Sequence, residues 1–334
     1  MSRGEKTCVP GGDFSAFSPH TLDPGDRMMK IRWQPPVMLL LLSGLYWLLS
    51  GAADVRAAVL EGLSLCAGSV IPALFPFLTV SSLLISLGFG EWVSGPLGGL
   101  MGLWNLGGAG ASALILGLVG GYPVGARTTA ELYRDRLLSR DEAERLLTFS
   151  NNSNPAFLIN VLGLGVFRSL RVGAWLWLIH VASALLTGLV LGRRGKRSPP
   201  GERRLRRPPS RTAHLPKAFV EAVKSSALAM LNICAFVVFF YVLALPLRNL
   251  PGPAGTAAAG LVELFSAAPR LTRGPAGFVL AAALAGWGGV SVLCQTLSVL
   301  SDSGLDARRC VEGKALQGLL SAALALSLAG YVLR

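Results

Sequence analysis

Gly117-Leu-Val-Gly-Gly-Tyr-Pro-Val-Gly125 is an apolar stretch with a glycine pair and a proline at its centre. Glycine permits a tight turn and close backbone approach. Pro123 stops a helix from running through that turn. The apolar run Ala111–Val119 leads into the stretch, and the amphipathic Thr128–Leu138 leads out of it. The pattern predicts two helix ends meeting at a tip. A related stretch, Ala285-Gly-Trp-Gly-Gly-Val-Ser-Val292, lies in the second half. Placing Gly120-Gly121 on Gly288-Gly289 pairs Val124 with Val292. With one residue of slippage, Leu138-Ser139 then falls on Leu305-Asp306.

The surroundings say what medium these tips sit in. Hydrophobic residues make up 52% of the 334 and charged residues 15%, against about 25% charged in an ordinary soluble domain. Val37–Leu49, Val70–Leu87, Trp175–Leu191, Ala227–Leu247, Phe278–Ala285 and Leu316–Leu333 are nearly free of charge. Several approach the roughly 20 residues that cross about 30 Å of hydrocarbon as helix. Backbone facing lipid must satisfy its own hydrogen bonds, which favours helices. The alternating pattern of a membrane β-barrel is missing. The expected fold is an all-α polytopic membrane protein built from two inverted repeats. Each repeat carries a re-entrant helical hairpin. Four regions follow: a disordered cytoplasmic tail (1–36), a first membrane repeat (37–192), a basic linker (193–217) and a second membrane repeat (218–334).

Charge sets the expected orientation. Arg193–Lys217 holds eight Arg and two Lys against Glu202 alone, with five prolines. Such a run beside membrane segments stays in the cytoplasm and suits contact with anionic lipid. Arg27, Lys30 and Arg32 abut the first apolar block in the same way. Met1–Arg32 is polar, contains no cleavable signal pattern and reads as disordered. The arginines lack the interleaved aromatics of single-strand binders, so no nucleic-acid partner is expected. The five cysteines have no metal-type spacing and read as small buried hydrophobes. His180, inside an apolar block, suits a hydrogen-bonded packing role better than a proton relay. Neither a metal nor a cofactor is expected. The stretch from Glu91 to Gly110 is too weakly patterned to place, and oligomeric state is not readable.

A second interruption follows the first tip. Ser139, with Glu142 in capping-box position, starts a helix. That helix runs into Ser150-Asn-Asn-Ser-Asn-Pro155, ahead of the apolar Ala156–Val166. Five polar residues and a proline break what would otherwise be one span. Asn and Ser bring donors and acceptors to membrane depth without the cost of a buried charge. No counterpart of this break is evident in the second half. Irregular backbone in a membrane is tolerated where it is buried or lines a cavity. Paired interruptions in two halves point to a transporter site. Ordinary surface loops would produce the same local patterns.

The sequence of motifs Gly120-Gly-Tyr-Pro-Val-Gly-Ala-Arg127, Leu138-Ser139 and Phe149-Ser-Asn-Asn-Ser-Asn-Pro-Ala-Phe157 resembles the sporulation integral membrane protein family YlbJ, or SpoVV. Ile71-Pro-Ala-Leu-Phe-Pro-Phe77 and Gly288-Gly-Val-Ser-Val292 with Gln295 fit the same pattern. The resemblance covers about Leu39–Leu333. It implies a nucleoside-transporter "gate" fold and a role in moving dipicolinate across the outer forespore membrane.

A planar dianion needs donors, positive potential and flat surfaces. The tips, Gly120, Gly121, Gly288 and Gly289, would offer backbone N–H groups at helix ends. Arg127 would pair with a carboxylate in bidentate fashion, or else anchor the interface. Asn151, Asn152, Ser153, Asn154, Ser291 and Gln295 would donate further. Tyr122 would stack on the ring, and Trp287 would either stack or pack. Glu61, Glu131 and Glu221 are candidates for proton coupling or for pairing with Arg56, Arg127 or Lys224. Two alternatives remain: a carrier of nucleosides or other neutral solutes, and a non-transporting assembly protein. No phosphate-cradling loop is present, and no nucleophile–base pair points to an enzyme.

Overall fold

Where the sequence runs apolar without charge, the chain is helical. The structure is a computed structural model that describes residues 24–192 and 215–334. Its helices are α1 (Pro24–Ser50), α2 (Ala52–Leu65), α3 (Ile71–Ser86), α4 (Phe89–Leu97), α5 (Gly110–Gly120), α6 (Val124–Arg134), α7 (Arg140–Ser150) and α8 (Leu170–Gly192). After residues 193–214 come α9 (Leu215–Leu243), α10 (Leu245–Arg248), α11 (Gly252–Val262), α12 (Leu264–Ala267), α13 (Pro275–Trp287), α14 (Val290–Leu300) and α15 (Arg308–Val332). Cys66–Val70 and Phe157–Val166 are π-helical, and Gly98–Trp104 and Ala268–Arg270 are 3₁₀-helical. No strand occurs among the described residues.

Five helical segments are long and apolar enough to cross a membrane: Ala52–Leu84, Leu170–Gly192, Leu215–Leu243, Pro275–Leu300 and Arg308–Val332. The chain is a multi-pass, all-helical integral membrane protein. Large apolar side chains such as Leu228, Leu231, Leu319 and Leu326 are exposed on its surface, as hydrocarbon requires and water penalises. The stretch that resisted placement in the sequence forms α4 and the 3₁₀ turn after it, neither long enough to span.

The chain divides after Asp54 into two units. The described part of the first is mainly α1. This helix starts at Pro24, inside the stretch expected to be disordered, and exposes Met38, Leu39, Leu40 and Leu41. The expected disorder of residues 1–23 and the basic run 193–214, with Cys8, His20 and His214, lie outside the described residues.

The second unit, Val55–Arg334, has two apolar cores. One gathers α3, the Phe157–Val166 segment, α8, α9, α12, α13 and α15 around Leu158, Leu162, Leu176, Phe278 and Ala325. The other lies among α5, α6 and α7 around Ala113, Ala126, Leu146 and Phe149. Buried polar side chains collect around the break after α7 and on the part of α15 that packs against it.

The predicted capping box at α7 is formed. Ser139 N donates to Glu142 Oε2 at 2.8 Å and Glu142 N donates to Ser139 Oγ at 3.3 Å. Just before α15, Asp306 Oδ1 accepts from Arg308 N at 2.9 Å. The two starts, paired in the sequence alignment, are neighbours. Glu144 Oε1 accepts from Arg140 Nε at 2.7 Å and from Asp306 N at 3.2 Å. That carboxylate raises the pKa of the exposed Arg140 guanidinium.

Candidate functional site: two glycine tips on two broken helices

The first tip is built as the glycines demand. α5 and α6 pack on one another and turn through Gly121, whose φ of 77° lies in the left-handed region. Gly117 and Gly125, one on each arm, close over the last carbonyl of α7. A Cβ added at either would stand 1.7 Å or 1.9 Å from Ser150 O. No larger residue fits there without moving backbone. The tip itself meets the helix break: a Cβ at Gly121 would lie 2.7 Å from Asn154 Cβ.

The break is as the polar run predicts. α7 ends at Ser150, residues 151–154 are not helical, and helix resumes at Pro155. All four of these residues are buried, and their hydrogen bonds show how the break is supported. Asn154 Oδ1 accepts from Phe157 N at 2.8 Å and so starts the next helix. Asn152 Nδ2 donates to Phe149 O at 2.7 Å and closes the previous one. Ser153 N donates to His180 Nε2 at 3.1 Å. His180 is hydrogen-bonded within the buried network, its Nε2 accepting from the break. Asn151 Nδ2 reaches Thr296 of α14 at 2.7 Å.

The second half contributes more than its tip. Gly313 brings α15 against α7, since a Cβ there would stand 2.0 Å from Thr148 O. This seats Lys314, 1% exposed. Its Nζ donates to Asn151 O at 3.2 Å and Gln317 Oε1 at 2.6 Å, and stands 5.0 Å from the centre of the Tyr122 ring. Gln317 Nε2 donates to Asn152 Oδ1 at 3.0 Å. Lys314 has no carboxylate within ion-pair distance among the described residues. Sequence reasoning missed Lys314 and Gln317. Their signal was a lone lysine, with a glutamine three residues on, inside a 25-residue span. An ionisable group placed there is by default functional.

The second tip also meets a break. Gly288 and Gly289 take φ of 88° and 94°. A Cβ on Gly288 would lie 2.9 Å from the Tyr122 hydroxyl, so the two tips touch across the halves. A Cβ on Gly289 would lie 3.2 Å from Val262 O and 3.3 Å from Leu264 N. Between those atoms sits Glu263, extended, joining α11 to α12. The second half therefore has a break after all. It precedes the tip instead of following it, so the alignment of the tips hid it. Beyond the tips the two halves differ. α13 lies on α15 and α8, whereas α14 lies on α9 and α6.

A cavity of about 40 Å³ lies where these parts converge, lined by polar Tyr122, Ser153, Asn154 and Gln295 among apolar neighbours that include Phe157 and Phe265. That space holds a few waters. The Tyr122 and Ser153 hydroxyls are neighbours without good hydrogen-bond geometry, as are the Glu263 carboxyl and the Ser291 hydroxyl. Asn151 Oδ1 is also buried without a partner. Unpaired buried polar atoms are rare and call for an explanation.

Of the twelve residues singled out in the sequence, Tyr122, Ser153, Asn154 and Gln295 line this cavity, Gly121 and Gly288 close on Asn154 and Tyr122, and Arg127 lies apart. Arg127 faces outward on α6, 67% exposed at its side chain, and pairs with Glu131 at 3.0 Å. Helical periodicity turns position 127 away from the Gly125 face that grips Ser150. Trp287 packs, with Nε1 donating to Leu261 O at 2.9 Å. The three proton-coupling candidates are all paired. Glu61 meets Arg248 and Tyr241, Glu131 meets Arg127, and Glu221 lies 3.8 Å from Lys224. Among the described residues no group of three or more His, Cys, Asp or Glu could hold a metal ion.

Residues 67–171 match a family model described as "Gate: Nucleoside recognition". This interval holds the first tip and the amide-rich break, but neither Lys314 nor Glu263. No solved structure matches the chain. The chain spans about half the length of the curated relative it matches, the sporulation integral membrane protein YlbJ of Bacillus subtilis (strain 168). The two are 32% identical over 198 residues, which is 54% of this chain and 48% of the relative. The likeness to YlbJ suggested by the motifs is thus supported by a curated sporulation membrane protein, and the Gate model covers the first tip and its break.

Proposed function

We propose that the chain transports a small organic anion across the membrane and performs no covalent chemistry. Dipicolinate, moved from the mother cell across the outer forespore membrane, is the substrate suggested by the resemblance to YlbJ. One observation carries the anion assignment: Lys314 is buried without a counter-anion among the described residues, over the ring of Tyr122, whose hydroxyl lacks a partner. Buried charges are normally paired, and an arriving carboxylate supplies the pair. Tyr122 and Ser153 would donate to it, the Tyr122 ring offers a flat face, and Gln295 and Asn154 complete the cavity wall.

The cavity is much smaller than the roughly 300–1,000 Å³ of common ligand sites. Binding therefore calls for the tips to part. The two re-entrant tips, moving against the broken helices in turn, would give alternating access. The basic residues of the linker at 193–217 and of the N-terminal end favour a cytoplasmic location for both.

The test is uptake of labelled dipicolinate by the purified protein in liposomes. Uptake should saturate, yield to excess unlabelled dipicolinate and resist nucleosides. Lys314→Met keeps the volume and removes the charge. It should weaken binding by about tenfold or more, the worth of a hydrogen bond to a charged group. Absence of wild-type uptake under every gradient would sink the proposal. The nucleoside reading has its own support in the Gate match and the amides of Asn151, Asn152 and Asn154. Full competition by nucleosides, with dipicolinate inert, would establish it instead.

A further inference from the structure

Glu263 has no role in the anion site, yet it is the most isolated charge-bearing group in the described chain. It is 1% exposed. Oε1 accepts from Phe265 N at 2.9 Å, and Oε2 has no partner. Among the described residues no basic group comes within ion-pair distance. The reason is compositional: α11, α12, α13 and α14 carry no charged residue. On α9, Lys217, Glu221 and Lys224 lie in the first ten residues, and Tyr241 is committed to Glu61. Arg270, beyond α12, donates to the carbonyls of Arg248 and Leu250. The titratable groups facing the carboxyl are the thiols of Cys66 and, beside it, Cys234. A carboxylate left without a cation in such a place carries a desolvation cost of several kcal/mol. A proton removes that cost with one bond, whereas a metal ion would need several more oxygens than Glu263 and Ser291 provide.

Position gives the proton a consequence. Glu263 is the break itself, and Gly289 of the second tip packs on its Cα, within 3.6 Å of an added Cβ. Ser291, first turn of α14, is its polar neighbour. Movement of the tip therefore changes what the carboxyl meets. We propose that Glu263 is a proton-binding site, and that its loading and release couple movement of the Gly288-Gly289 tip to proton flow. The coupling rests on the transport reading; the proton site does not. A protonated Oε2 donates to Ser291 Oγ with the tip in place. Once the tip withdraws and water arrives, the proton leaves to the side then open, and the charged carboxylate disfavours return of the tip.

Infrared spectroscopy of the protein in liposomes, without solute, reads the site directly. A protonated-carboxyl C=O band should vanish as pH rises and shift in heavy water. Glu263→Gln, which keeps the acceptor for Phe265 N, should lack the band. Ser291→Ala, which leaves the carboxyl intact, should retain the band at a shifted frequency. A wild type without the band, a full band in Glu263→Gln, or an unmoved band in Ser291→Ala would overturn the proton site. In transport, a gradient of one pH unit should drive up to about tenfold solute accumulation in the wild type. Glu263→Gln should still exchange solute but show no accumulation above equilibrium. Wild-type exchange that ignores the gradient would overturn the coupling. A band that behaves as expected, with no solute movement of any kind, would instead overturn the transport reading.

Discussion

The first tip–break junction and the second use the same backbone device with opposite chemistry. In each, a glycine with positive φ lies against an interrupted helix: Gly121 on Asn154, Gly289 on Glu263. In the first, the break spans residues 151–154, is supplied with amides and sits beside a buried lysine. In the second it is one extended residue, a carboxyl with an open oxygen. The first is also clamped from behind, because Gly117 and Gly125 of the two packed arms enclose Ser150 O. Behind the second, the helices before and after the tip both touch α11 but otherwise pack mainly on different neighbours. A tight junction holds geometry and suits recognition. A looser one suits movement. Under the proposed transport reading, the difference suits binding at the first junction and gating at the second.

The sharpest way to break this comparison is to load each tip with a methyl group. Gly121→Ala places Cβ 2.7 Å from Asn154 Cβ, on top of the cost of positive φ. Strain of about 1–3 kcal/mol joins overpacking of about 1–3 kcal/mol. Gly289→Ala meets nothing closer than 3.2 Å and carries mainly the first cost. Gly121→Ala should therefore lower the thermal transition clearly more than Gly289→Ala. A dye that reacts with thiols as Cys66 and Cys310 become exposed reads both in detergent. Equal shifts would make the junctions mechanically equivalent and remove the basis for separate roles.

What the sequence made legible follows from range. The capping box at Ser139, the end of α7 at the polar run and the turn at Gly121 depend on residues within a few positions. All three form where local chemistry places them. The grouping of Tyr122 with Asn154 also followed, because tip and break lie in one motif-rich stretch. Lys314 was not legible as a partner of Asn151. Its role depends on α15 crossing α7 at Gly313, a contact across 163 residues. Arg127 misled for the same reason. Near Gly121 in sequence, it lies on the opposite face of a helix whose phase is fixed by Gly125 on Ser150. Glu263 escaped because a one-residue break leaves no compositional trace beyond a lone acid between Val262 and Leu264.

A second measurement asks whether the first junction belongs to its own half. Gln317 Nε2 donates to Asn152 Oδ1 at 3.0 Å, joining α15 to the break. A double-mutant cycle with Asn152→Ala and Gln317→Ala should give a coupling of about 0.6 kcal/mol, the mean for buried polar pairs between membrane helices, with about 1.7 as the upper end. Zero coupling would mean that this bond does not tie the second half to the break, and that the tie rests on Thr296 and Lys314 at Asn151.

The smallest expected effect is the most direct check on where the anion goes. Arg127 and Glu131 form an exposed pair one helical turn apart. Such pairs contribute about 0.3–0.5 kcal/mol, so Arg127→Ala should leave stability nearly unchanged. Uptake should stay within about twofold of wild type, since a carboxylate bound among Tyr122, Ser153 and Lys314 gains no contact from a guanidinium on the outer face of α6. The comparison with Lys314→Met then separates two readings of the same positive charge. If Arg127→Ala abolishes uptake while Lys314→Met is mild, the solute passes along the exposed face of α6. The cavity between the junctions would then be a packing defect. If the order is reversed, the charge that matters was contributed from the second half to a break in the first.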